Sequence, residues 1–185
     1  MGFGMRLIIL DRDGVINVDS PNYIRSPEEW IPLPGSLEAI GRLTREGWTV
    51  AVATNQSGVG RGYYDEETLA AMHAKMERGA AEHGGRIDHI AYCPHTPEAG
   101  CPCRKPKPGL LEAIGRHFGA PLEGVPVIGD APRDLEAARR VGARPILVLT
   151  GKGRETRERD GGGVEVFSDL ASAVDALCRG DRNGR

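Results

Sequence analysis

Residues 6–17 read RLIILDRDGVIN. A short aliphatic run ends abruptly on two carboxylates, Asp11 and Asp13, and a glycine. The run is too short for a helix, and its β-branching predicts a buried strand. The same design recurs along the chain. WTVAVAT (48–54), IDHIAYC (87–93), VPVIG (125–129) and RPILVLT (144–150) all read as buried strands. Between them the 3.6-residue period predicts helices over about 35–46, 65–83, 107–118 and 132–142, with a last one over about 168–178. Ser36 and Asp65 stand where caps belong, and Gly47, Gly84, Gly119 and Gly142 where helices stop. Such alternation predicts an α/β fold, a three-layer sandwich with a central parallel sheet covered on both faces.

Ligands of such sheets sit where strand C-terminal ends meet loops. DRDG follows the first strand, TNQSG (54–58) the second, a cysteine-rich loop the third and GDAPRD (129–134) the fourth. The fold therefore gathers all four clusters on one rim. A turn-and-cap reading would account for one DxDG alone. Two acidic pairs at matching strand ends, Asp11 with Asp13 and Asp130 with Asp134, point instead to a site. Their mutual repulsion calls for a cation, and a hard cation with oxygen ligands is Mg²⁺. Asp11, Asp13 and Asp130 are its expected ligands, with Asp134 a lesser candidate beside them.

These groups suit phosphoryl chemistry. A carboxylate nucleophile splits phosphoryl transfer into two easier steps. A second carboxylate two residues on lies on the same side of an extended chain, where it can serve as acid and base. Thr54, Asn55 and Ser57, with Gln56 between them, supply donors, and the adjacent glycines let backbone N–H groups approach an anion. Neither a GxGxxG nor a Walker A sequence is present. TGKG (150–153) reads as a turn.

The third rim cluster is CPHTPEAGCPCRKPKPG (93–109). Cys93-x-His95 and Cys101-x-Cys103 offer three thiolates and an imidazole, the donor set of a closed, tetrahedral, structural zinc site. A C-x-x-C redox motif is absent, and a disulfide would need an oxidising compartment. Cys178 stands apart and reads as a packed thiol. Arg104, Lys105 and Lys107 follow the cluster directly, so either lysine can meet a phosphoryl group.

With 24 basic and 26 acidic residues the net charge is −2, which excludes the basic footprint of a nucleic-acid binder. No apolar run approaches the ~20 residues of a membrane span, and the N-terminus does not read as a leader. A cytoplasmic monomer acting on a small molecule is expected. The tail 179–185 has no apolar residue and is expected to be disordered, leaving one domain over 1–178 with its zinc loop at 93–105.

Asp-x-Asp-Gly after a first strand, Thr-Asn after a second, a later Lys and a final Gly-Asp-x-x-x-Asp resemble the four motifs of the haloacid dehalogenase superfamily. The resemblance covers about residues 5–178. It implies a Rossmann-like phosphatase with Asp11 as nucleophile and Asp13 as general acid and base, and it assigns phosphoryl stabilisation to Thr54 and Lys105. The C-x-H…C-x-C-R-K-P loop resembles the branch that acts on heptose bisphosphates and histidinol phosphate. DRDGVINVD is closer to the heptose members, which implies a sugar bisphosphate substrate touched by Asp19 to Asn22 and by Arg104. Val15 replaces a common Thr, and SPNY (20–23) departs from the usual form. Only about 43 residues separate Asp11 from Thr54 and about 51 separate Thr54 from Lys105, too few for a cap domain of roughly 50 residues. A histidinol-phosphate phosphatase and a zinc-stabilised binding module without catalysis are the rival readings.

Overall fold

The computed structural model describes residues 4–160 and 162–183, the last three by backbone alone. In chain order the elements are β1 (Arg6–Leu10), α1 (Ser36–Arg45), β2 (Trp48–Asn55), α2 (Ser57–Gly60), α3 (Glu66–Glu82), β3 (His89–Cys93), α4 (Gly109–Phe118), β4 (Pro126–Gly129), α5 (Pro132–Arg140), β5 (Arg144–Val148), α6 (Gly153–Asp160), β6 (Glu165–Phe167) and α7 (Leu170–Asn183).

The strands form one sheet in the order β3-β2-β1-β4-β5-β6. Every pairing is parallel. Alternation along the strands fills a core on each face. Ile8 and Leu10 of β1, with Val50 and Val52 of β2, pack against Leu37 and Ile40 of α1, Met72 and Met76 of α3, and Val174 of α7. Leu7, Ile9, Ala51 and Ala53 face the other way, against Leu111 and Ile114 of α4 and Ala137 of α5. The central strands are buried on both sides, which explains their unbroken apolar runs.

Strand order reverses beside β1: the chain winds outward through β2 and β3, returns to β4, then winds outward on the other side. Such a switch point opens a crevice at the strand ends. Asp11 and Asp130 leave the two strands that flank it. The links over 11–35 and 94–108 hold only single 3₁₀ turns, Pro27–Glu29 and Pro97–Ala99, so no cap domain covers the crevice among the described residues. No helix there is long and apolar enough to cross a membrane.

Some local expectations need correction. Ser36 is not a cap: the cap position is Gly35, at φ +78°, while the Ser36 hydroxyl donates to the Ile16 carbonyl at 2.6 Å. A left-handed turn there excludes a side chain more firmly than a missing cap would cost. Asp65 does cap, accepting from the Thr68 N–H at 2.8 Å. A sixth strand and helices α2 and α6 were not predicted. Strand β6 is three residues long, α2 four, and α6 (GRETRERD) has no apolar residue to mark a period. Helix α7 runs on to Asn183, so helical backbone continues past Cys178 into the expected tail. Residues 184–185 lie outside the described residues.

Candidate active site

The rim clusters do meet. Carboxylate oxygens of Asp11, Asp130 and Asp134 lie within 4.8 Å of one another, and all three residues are buried. Lys105, also buried, reaches into the group. Its Nζ donates to Asp11 Oδ1 at 3.1 Å, to Asp134 Oδ1 at 2.7 Å and to the Ala53 carbonyl at 2.7 Å. Asn55 fixes the lysine's backbone, donating to its carbonyl and accepting from its N–H, both at 3.0 Å. The Asn55 amide thus places Lys105 while also lining the cavity beside the carboxylates. Lys107, the rival, turns away and donates to the carbonyls of Gly100 and Cys101 at 3.1 and 2.8 Å.

Asp134 is fully committed, because its Oδ2 accepts the Ala131 N–H at the start of α5 at 3.0 Å. Asp11 and Asp130 are not. Asp11 Oδ1 accepts from the Arg12 N–H and Lys105, and Asp130 Oδ2 accepts from the Lys152 N–H at 2.8 Å. Asp11 Oδ2 and Asp130 Oδ1 are buried and accept no hydrogen bond. Two orphaned carboxylate oxygens in one buried acidic cluster fit a hard divalent cation. Burial and then its acidic neighbours push Asp130 up to about 8, and burial and then Asp134 push Asp11 up to about 6. A bound cation offsets both. Gly14 (φ +85°) and Gly151 (φ +55°) press against the Asp130 carboxylate, and a Cβ at either would overlap it.

The Asp13 carboxylate is not part of this group. It is held elsewhere by directed donors. Its Oδ1 accepts from Arg12 Nε and Nη2 and from Asn17 Nδ2 at 3.1, 2.8 and 2.9 Å. Its Oδ2 accepts from Gln56 Nε2 at 2.9 Å. Burial alone would raise its pKa, but Arg12 and the hydrogen bonds outweigh burial and hold it below the ordinary value. Gln56 also donates to Thr54 Oγ1 at 2.8 Å and accepts from Tyr64 at 2.6 Å, so its amide serves as a brace.

Beside the carboxylates opens a cavity of about 220 Å³, polar on most of its wall. Asp13, Asp19, Asn55, Gln56, Ser57 and Arg104 line it as expected, and so do Tyr64, Arg133 and Lys152, which sequence reasoning missed. Asn22 is exposed and does not line it. Lys152 belongs to TGKG, at the C-terminal end of β5. The strand-end rule that selected the first four clusters would have selected this one too. The segment does turn, with the Gly153 N–H donating to the Thr150 carbonyl at 2.8 Å, and it also bonds Asp130 through the Lys152 N–H and the Gly14 carbonyl through Thr150 Oγ1 at 2.6 Å.

The cysteine loop forms a second cluster. Cys93, Cys101 and Cys103 place their sulfurs 3.2–3.5 Å apart, with His95 Nδ1 at 3.3 Å from Cys103 and 3.5 Å from Cys93. No pair is bonded. Three sulfurs and one imidazole nitrogen converging on a point fit a closed, four-coordinate, soft-ligand site. The loop also joins the active site, because Cys103 precedes Lys105 by one intervening residue, Arg104.

A HAD-hydrolase-like family model matches residues 102–173. An enzyme of Pseudomonas putida, named D-glycero-beta-D-manno-heptose-1,7-bisphosphate 7-phosphatase, is 58% identical over 177 residues, covering 94% of this chain and 99% of its own. The chain belongs to the haloacid dehalogenase superfamily. Within it, this is a member of the heptose-bisphosphate phosphatase group. The like-named enzyme of Pseudomonas aeruginosa is 56% identical over 172 residues, covering 92% of this chain and 97% of its own. The crystal structure of D,D-heptose 1,7-bisphosphate phosphatase from B. bronchiseptica, complexed with magnesium and phosphate, superposes with a TM-score of 0.93 at 52% identity. It covers 95% of this chain and 99% of that one. The superfamily fold explains why the carboxylates of the first and fourth strands converge on one crevice.

Proposed function

We propose that this phosphoric monoester hydrolase removes the 7-phosphate of D-glycero-D-manno-heptose 1,7-bisphosphate, leaving heptose 1-phosphate, through a phosphorylated Asp11. The observation that carries the chemistry is the pair of orphaned oxygens, Asp11 Oδ2 and Asp130 Oδ1, beside a buried lysine. The substrate follows from the names of relatives that span nearly the whole chain. The polar cavity, with Arg104, Arg133 and Lys152 on its wall, suits a doubly phosphorylated sugar.

Asp11 attacks the phosphorus, and the bond from phosphorus to the sugar oxygen breaks. Asp13 gives that oxygen a proton. The Asp13 carboxylate then takes a proton from water, whose oxygen attacks the phosphorus and releases Asp11 and inorganic phosphate. Lys105 and Thr54 stabilise the transferring phosphoryl group. Asp11 and Asp130 would hold a magnesium ion, which when bound would neutralise charge between the two anions. Steady-state kinetics test the substrate: kcat/KM on the heptose bisphosphate is expected to exceed that on histidinol phosphate. The reverse order would overturn the assignment.

We assign the Cys93, His95, Cys101 and Cys103 cluster to zinc, with a structural role. The clamp fixes the loop that carries Arg104 and Lys105. Cys101→Ser is expected to strip the zinc and lower kcat/KM by up to about 100-fold, mainly through KM, because a displacement of about 1 Å suffices for that. Metal analysis of the purified protein checks the premise, and a protein without zinc refutes it.

A further inference from the structure

Asp13 is held by a chain of buried contacts that starts on helix α3, and we propose that Arg12 and His73 are positioning residues for its carboxylate. The proposal rests on Asp13 being the group that protonates the leaving oxygen. Arg12 is fully buried, an uncommon place for a guanidinium. Two of its nitrogens, Nε and Nη2, converge on Asp13 Oδ1. The third, Nη1, points to His73 Nε2 at 3.3 Å.

A guanidinium only donates, so Nε2 must be the bare nitrogen of His73, with the ring proton on Nδ1. Burial and then the Arg12 charge push His73 down to about 3, which keeps the ring a neutral acceptor. The ring is seated in turn. Tyr92 packs edge-on with centroids 6.1 Å apart, and Met72 and Met76 of the same helix are buried in the core.

Asp13 Oδ1 therefore carries three directed donors, two from Arg12 and one from Asn17, and Oδ2 carries one from Gln56. This leaves Oδ2 as the working oxygen and stops the carboxylate from rotating. Without the acceptor on His73, Arg12 Nη1 is left unpaired in a buried place, and the guanidinium must shift to satisfy it. Asp13 shifts with it. A scaffold helix thereby sets the aim of the acid–base group without touching substrate.

The test measures His73→Leu, His73→Gln and Asp13→Asn against the heptose bisphosphate and p-nitrophenyl phosphate. A sugar alkoxide needs a proton to leave, whereas p-nitrophenolate does not. His73→Leu is expected to lower kcat/KM on the sugar substrate by about 10- to 100-fold and on p-nitrophenyl phosphate by less than about threefold. Glutamine offers a carbonyl to Arg12 and should restore most of the loss. Equal losses on both substrates, or no loss on the sugar, would overturn the proposal. If Asp13→Asn hydrolyses the sugar substrate at the wild-type rate, the reading of Asp13 itself falls. If Asp13→Asn is impaired and His73→Leu is not, only the positioning role falls. Should His73→Leu fail to fold, imidazole ¹⁵N NMR of the wild-type protein decides: an Nδ1–H tautomer supports the proposal, and an Nε2–H tautomer overturns it.

Discussion

Asp11→Asn is expected to abolish turnover, by about 10⁴-fold or more, while leaving the fold intact. The amide is nearly isosteric with the carboxylate but cannot form the phosphorylated intermediate. Stability should move the other way. Asp11 shares its crevice with Asp130 and Asp134 and one lysine, and burial and then Asp134 raise its pKa from 3.8 to about 6. An acid with a raised folded pKa favours folding only while protonated. Its contribution is therefore lost as pH climbs from 3.8 to about 6, and the full penalty applies above that. Neutral asparagine avoids this penalty. In chelator, Asp11→Asn should match the wild-type melting temperature near pH 4 and exceed it at pH 7. Melting curves at the two pH values check the sign, and residual turnover near the wild-type rate would remove Asp11 from its role.

Lys105→Met is expected to cost both stability and activity. The methionine fills much the same volume, so the change chiefly isolates the charge. In the wild type the ammonium is buried against two carboxylates, Asp11 and Asp134. Removing one partner of a buried ion pair typically costs about 3–5 kcal/mol, because the other charges remain without compensation. Urea titration should show that loss, together with a fall in kcat of about 10²- to 10³-fold from lost stabilisation of the phosphoryl group. Arginine should not rescue it, since a planar guanidinium does not fit the position of a compact ammonium. Lys107→Met is the internal comparison. Its ammonium is exposed and braces only loop carbonyls, so its effect should be small. Equal stability of Lys105→Met and wild type would refute the account of the buried cation.

Much of this was legible before any coordinates. Strands rich in Val and Ile that end in polar clusters located the rim. The residues that meet there, Asp11, Asp130 and Lys105, were read from strand ends, spacing and resemblance. What the sequence hid has physical reasons. Strand β6 and helices α2 and α6 are too short or too polar to show a period. Asn55 and Gln56 looked like ligand donors because their type and place suit the task. Only three-dimensional contacts show that the same amides also brace Lys105, Asp13 and Thr54. Arg12 was invisible for a related reason: an arginine between two aspartates reads as a surface charge, yet it is among the most buried residues of the molecule. Alternation suggests that the Asp13 side chain lies beside that of Asp11, whereas donors from Arg12 and Asn17 hold its carboxylate outside the acidic cluster.

The reversal of strand order has a consequence for how the protein comes to be. Strand β1 pairs with β2 soon after it in the chain, but its other neighbour is β4, and Ile9 must wait for Val127. Loop closure over such a span is entropically costly and contributes to slow folding. An N-terminal half can assemble β1, β2, β3 and the cysteine loop, and with them Asp11, Thr54 and Lys105. It still lacks Asp130 and Asp134 until the β1–β4 seam closes. Refolding followed through a core tryptophan such as Trp30 should therefore run ahead of the recovery of activity, with catalysis returning only as that seam zips shut.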